Sequence, residues 1–183
     1  MLFFKKKKDN IGTEVACAFT GHRPQRFTFR YNENHPDCLR LKEVLRKEIL
    51  NQIDNGVNTF ITGMALGVDT WAAEIVQDLQ KRGKQIKLVC AIPCDNQEAK
   101  WPMASQRRYK AIIGKADEVI HVGKEYTPSC MIERNRYMVD RAKSLIAVYD
   151  GKGSGGTAAT VQYALSKDVK IIVINPDTLE VQR

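Results

Sequence analysis

The chain has 183 residues, 43% of them hydrophobic and 27% charged, and a formal net charge of +8. That is enough for one domain with a full core, in the composition of an ordinary soluble globular protein. No apolar run approaches the ~20 residues of a membrane span, so no membrane partner is expected.

Residues 1–12 read as a basic tail and residues 13–183 as a single domain. Met1–Lys8 carries its positive charge after the apolar residues and lacks a long apolar region, so it is not a secretory signal. A cytoplasmic location is the default expectation. Lys5–Lys8 account for half of the surplus positive charge, which leaves weak support for nucleic-acid binding by the folded body. The tail reads as a solvated terminus, with an accessory contact to an anionic polymer as the alternative. Five cysteines (Cys17, Cys38, Cys90, Cys94, Cys130) form no CxxC pair, and no metal site is expected. Cys17 and Cys90 lie in apolar runs and read as core thiols, and reduced cysteines suit a cytoplasm.

Val15–Thr20 reads as the first buried strand, halted by Gly21-His22-Arg23-Pro24. Gln25–Cys38 reads as a loop. Leu41, Val44, Leu45, Ile49 and Ile53 recur at helical spacing, and Asn55-Gly56 closes that helix. Thr59–Thr62 is a second strand, followed by a turn from Gly63 to Asp69, with Asp69 as the expected cap of the next helix. That helix buries Ala72, Ile75, Val76 and Leu79 and ends by Gly83. Ile86–Ile92 is a third strand, ended by Pro93. A polar, partly helical segment with Gln97, Glu98, Trp101, Arg107 and Tyr109 runs to Gly114. Glu118–Val122 is a fourth strand. Thr127-Pro128 reads as a helix start, with Met131, Asn135, Met138, Val139 and Ala142 on one face. Leu145–Val148 is a fifth strand, and Gly151, Gly153, Gly155 and Gly156 form a turn into a helix whose expected cap is Thr157. Lys170–Ile174 is a sixth strand, and the remaining residues read as a short tail.

Strands that are continuous apolar runs, alternating with helices, indicate a parallel sheet covered on both faces. The expected fold is α/β, a Rossmann-like doubly wound three-layer sandwich with a mostly parallel sheet. In such a sheet the βα turns lie at the carboxyl edge, where ligands bind. The unusual residues fall in those turns: Gly21 to Arg23, Gly63 to Asp69, Gln97 to Trp101 and Gly151 to Thr157. A glycine turn leading into a helix N-terminus is a natural anion site. Neither glycine turn is GxGxxG or a P-loop.

These residues carry a family resemblance. TGMALGVD (Thr62–Asp69) matches the SGxAxGID motif of the DprA/Smf proteins. Met131–Met138 is similar to the MxxRKxxM segment of the LOG proteins, and Gly153–Thr160 resembles their GGxGTxxE motif. The opening TGHRP and the Gln97–Trp101 segment resemble the YpsA type. The chain from about Val15 to Pro176 thus looks like a YpsA-type member of the SLOG superfamily, to which both groups belong. The resemblance implies a Rossmann-like fold and a nucleotide or nucleotide-sugar ligand. In LOG proteins the matching Arg and Glu serve a phosphoribohydrolase. Here Arg134 is kept, its Lys neighbour is Asn135, and the Glu is replaced by Thr160. A carboxylate that stabilises an oxocarbenium-like state or activates water is worth ~10²–10⁴-fold in rate, and a Thr hydroxyl does neither.

The expected ligand and phosphate contacts are Thr20, Gly21, His22, Arg23, Gly63, Ala65, Gly67, Asp69, Gln97, Trp101, Arg134, Asn135, Gly155, Gly156 and Thr157. Arg134 has three roles open to it: pairing with a phosphate, holding a neighbouring acid, or simple solvation. The resemblance and the crevice favour phosphate. His22 reads as a general acid or base, or as a structural hydrogen-bonder. Trp101 reads as a stacking surface for a nucleobase, or as the seat of its own helix. The candidate catalytic groups are Arg134, Glu98 and His22. The favoured function is binding or sensing of an ADP-ribose-like or NAD-like molecule without LOG-type catalysis. The alternatives are a nucleotide N-glycosidase and a DprA-like nucleic-acid binder. No cofactor is required in this reading, and a homodimer is expected because relatives of both branches self-associate.

Overall fold

A computed structural model describes residues 14–183. The expected basic tail therefore lies outside the described residues. Six strands run parallel: β1 (Ala16–Gly21), β2 (Thr59–Thr62), β3 (Lys87–Ile92), β4 (Glu118–His121), β5 (Ser144–Val148) and β6 (Lys170–Ile174). A short β7 (Val181–Gln182) pairs antiparallel with β6. The order across the sheet is β4-β3-β2-β1-β5-β6-β7. Buried apolar side chains on both faces of β1, β3 and β5 leave these strands no solvent face, so both must be covered by helices.

The helices are α1 (Pro36–Asp54), α2 (Val68–Lys81), α3 (Met103–Ile113), α4 (Cys130–Asp140) and α5 (Gly156–Ser166). Alternation along the strands sorts the core into two layers. Cys17, Phe19, Phe60, Leu88 and Ile146 pack with α1, α2 and α3 on one face. Ala16, Ala18, Ile61, Val89 and Leu145 pack with Met138, Val139 and Ala164 of α4 and α5 on the other. The doubly wound sandwich is the fold.

Four helix starts differ from the sequence expectation, the first being α1, which begins at Pro36 inside the stretch read as a loop, with His35 as its cap. α2 is capped by Gly67 and α5 by Gly155; Asp69 and Thr157 lie inside the first turns. Gly67 (φ 92°) and Gly155 (φ 139°) hold backbone conformations that a side chain disfavours, so the conformation of the turn, rather than a side-chain cap, sets where each helix begins. α4 starts at Cys130 rather than at Thr127. The expected tail after β6 instead turns back through Asn175, whose side chain accepts the Asp177 and Thr178 N–H groups, and forms β7.

The chain winds outward from β1 in one direction to β4 and from β5 in the other to β6. β1 and β5 are adjacent, with Thr20 opposite Ala147 and Gly21 opposite Val148. The order reverses between these two strands, and at such a switch point the loops leaving the carboxyl ends diverge and open a crevice.

Candidate anion-binding site

Two loops flank the switch point, and a third closes it from the side. After β1, Gly21 lets α2 approach: a Cβ there would lie 2.5 Å from Val68 Cγ2. After β2, the loop to α2 turns its polar groups inward. The Thr62 hydroxyl donates to the Asp69 carbonyl (3.0 Å) and accepts from the Met64 N–H (3.2 Å). Asp69 Oδ2 accepts from the Ala65 N–H (3.2 Å), and the Thr70 hydroxyl donates to the Ala65 carbonyl (2.8 Å). Its own hydrogen bonds tie this loop into a wall of the cleft.

Arg134 enters beneath that wall from α4 and is almost fully buried. Its Nη1 donates to the Gly63 carbonyl and its Nε to Asn135 Oδ1 (2.8 Å). Asn135 Nδ2 donates to Thr160 Oγ1 (2.9 Å), and that hydroxyl donates to the Gly156 carbonyl (2.7 Å). One hydrogen-bonded chain thus joins the two glycine loops. Asn135 and Thr160, the two departures from the LOG pattern, are each other's partners. Burial pushes the Arg134 guanidinium down from its ordinary value, against the pull of the Asp69 carboxylate. The same burial pushes Asp69 up, opposed first by Arg134.

The N-terminus of α5 faces the opening. No side chain caps it, and the N–H groups of Gly156, Thr157 and Ala158 donate to no described group. These orphan donors and the positive end of the helix dipole suit an anion. Arg23, Arg26 and Lys152 are exposed on the same cleft and make no side-chain hydrogen bond or ion pair among the described residues. With Arg134 they set four cations against the Asp69 carboxylate. The cleft is about 200 Å³. That is below the roughly 300–1,000 Å³ of sites that enclose a whole drug-sized ligand.

Of the residues singled out in the sequence, Thr20, Gly21, His22, Arg23, Ala65, Asp69, Arg134, Asn135, Gly155, Gly156 and Thr157 line this cleft. Gly63, Gly67, Gln97, Glu98 and Trp101 do not. Gly63 instead makes room for Arg134, since a Cβ would lie 2.2 Å from Nη1. Gln97 stands behind the β2 loop, its amide donating toward the Gly63 carbonyl (3.4 Å) and the Tyr109 hydroxyl (3.4 Å). Trp101 meets Tyr109 edge to face at 5.5 Å and packs against the core, which seats α3. Arg26 and Lys152 were missed, as was Asp150, which pairs with His22 beside the cleft. Their signals were a basic residue just after a Pro-initiated turn, a lysine inside a glycine loop, and a carboxylate at a strand end.

The sequence model of YpsA, the YspA SLOG family, matches residues 17–179. A UPF0398 protein of Bacillus cereus (strain B4264) is 28% identical over 152 residues, 82% of each chain. The SPbeta prophage-derived protein YoqJ of Bacillus subtilis is 35% identical over 143 residues, 71% of this chain and 83% of YoqJ. Among solved structures, DNA processing protein A (DprA) of Streptococcus pneumoniae superposes with a TM-score of 0.60 at 17% identity. The match covers 91% of this chain and 52% of that one, so this chain spans about half of the pneumococcal protein's length. DNA processing protein A of Helicobacter pylori, solved for its single-stranded DNA binding mode, gives a TM-score of 0.59 at 18% identity, covering 93% of this chain and 67% of the other. Similarity at these identities is similarity of fold.

Proposed function

This chain belongs to the YpsA SLOG family, and on that premise we propose that its switch-point cleft binds the phosphate end of a nucleotide derivative of the ADP-ribose or NAD kind. The observation that carries the reading is the uncapped start of α5, with three orphan N–H groups beside four cations. The small cleft suits a sugar phosphate or pyrophosphate, with the base lying outside. LOG-type hydrolysis is not part of this function. The hydroxyl of Thr160 donates its proton to the Gly156 carbonyl and accepts from Asn135, and a neutral hydroxyl is too weak a base to take a proton from water as a carboxylate does.

The test is calorimetry and thermal unfolding with AMP, ADP, ADP-ribose and NAD. A ligand at 100 times its Kd adds ~2.7 kcal/mol to stability. Arg23→Ala and Lys152→Ala should each weaken binding at least several-fold. No shift with any of the four at millimolar concentration would overturn the reading.

A second reading is single-stranded nucleic acid, favoured by the fold shared with a protein solved for its single-stranded DNA binding mode. Here a strand would run across the exposed Arg23, Arg26 and Lys152.

A further inference from the structure

We infer that His22 and Asp150 form a proton-transfer pair in the cleft, and that the chain hydrolyses the phosphoanhydride of the nucleotide derivative it binds. The inference rests on the binding reading above and adds an activity to it.

His22 follows β1 and Asp150 follows β5, so the pair spans the two strands of the switch point. His22 Nε2 lies 3.1 Å from Asp150 Oδ1. A carboxylate only accepts, so Nε2 carries the proton, and in the neutral ring Nδ1 is left as an acceptor. Nδ1 has no hydrogen-bond partner among the described residues. Nor is it among their buried, unpartnered polar atoms, and the ring lines the cleft, so that lone pair is open to it. The ring is fixed by edge contacts with Tyr149 (5.6 Å) and Phe27 (6.3 Å). Asp150 is fixed in turn by the Lys152 N–H at 2.9 Å. A base, a carboxylate that orients it and an anion cradle therefore meet in one place, which is the arrangement a hydrolytic site needs.

The sign of the charge selects the reaction. Glycosidic cleavage builds positive charge on the sugar, which four neighbouring cations oppose. Phosphoryl transfer spreads negative charge over oxygens, which the α5 N–H groups and Arg23, Arg26 and Lys152 stabilise. In the proposed step a water oxygen bonds to phosphorus and the bridging P–O bond breaks. The water proton passes to Nδ1, and Asp150 stabilises the imidazolium. The bridging oxygen leaves on the second phosphate and takes the proton back. One water is consumed and two phosphate monoesters are released.

The experiment incubates the full chain with ADP-ribose, follows AMP and ribose 5-phosphate by chromatography, and measures ADP-ribose affinity in parallel by calorimetry. Wild-type protein should yield both products. His22→Asn should lower kcat about 10²–10⁴-fold while KM and Kd move less than about threefold. Asp150→Asn should lower kcat in the same direction, with partial rescue by Asp150→Glu, which a purely structural tie would not show. Wild-type protein that binds ADP-ribose without forming AMP overturns the activity and leaves the binding reading standing. Absence of binding overturns both. Wild-type turnover in a folded His22→Asn protein overturns the role of the pair, and if that variant does not fold, Asp150→Asn decides the matter by the same criterion.

Discussion

Gly63 and Arg134 show how tightly individual residues are constrained here. Gly63 is not a flexible hinge; it is a gap filled by the Arg134 guanidinium, which lies 2.2 Å from where a Cβ would be. In Gly63→Ala the guanidinium must leave the Gly63 carbonyl, and the hydrogen-bonded chain through Asn135 and Thr160 loses its first link. We expect a loss of about 1–3 kcal/mol in urea unfolding, the usual cost of overpacking, together with at least tenfold weaker nucleotide binding. Unchanged stability and affinity would show that Arg134 does not organise the cleft. The sequence singled out both residues, but as separate features. Their direct contact joins positions 71 residues apart, and no local pattern encodes it. Trp101 was open to two readings for the same reason: an aromatic ring suits a nucleobase or a core, and only the Tyr109 ring beside it decides where it packs.

At the scale of elements, the segment between β1 and α1 is held by charge. Glu33 accepts from Lys42 Nζ (2.5 Å) and from Arg108 Nη1 (2.6 Å), and Arg108 also pairs with Glu74 (2.6 Å). The loop, α1, α2 and α3 are thus pinned together. Burial alone would raise the Glu33 carboxyl, but Arg108 and Lys42 outweigh it and draw it from 4.5 down to about 2. The unfolded chain takes up a proton at the higher value and the folded chain at the lower one. The stabilisation is therefore present above about pH 4.5 and lost as pH falls toward 2. With Glu33 partly exposed, we expect Glu33→Gln to cost about 1–2 kcal/mol near pH 7. The difference from wild type should shrink by about pH 3, as read from urea unfolding of both proteins. A difference that persists undiminished in acid would assign the effect to packing.

For the whole molecule, the two proposed readings differ in the anion that the switch-point cleft would take. A small ligand meets a few cations at one helix start, whereas a single strand lays many phosphates along the surface. Affinity for a strand falls with salt at a slope of about −0.7 per phosphate neutralised. We expect ADP-ribose affinity to fall only gently between about 50 and 200 mM salt, with oligonucleotide binding weaker throughout. Anisotropy with a labelled oligothymidine and calorimetry with ADP-ribose, on the same preparation, provide the comparison. Tighter oligothymidine binding at about 150 mM salt would favour the nucleic-acid reading over the nucleotide one. Among the described residues no helix is long and apolar enough to cross a membrane.

The sequence by itself determined the class of fold and roughly where its six parallel strands lie along the chain. A short run such as Leu145–Val148 has no polar face to show water, and the turns after such runs must collect at one sheet edge. It also pointed to the turns after β1, β2 and β5, which line the cleft, because glycines before a helix are local signals; the Gln97–Trp101 turn, singled out in the same way, does not line it. Only the tertiary structure decided where the crevice opens, since strand order is a property of the whole sheet and places β5 against β1. It also decided that Arg134 is buried, that Asn135 and Thr160 satisfy each other, and that His22 meets Asp150. Each of these joins groups far apart in the chain, and its energy exists only once the sheet has brought them within hydrogen-bonding distance.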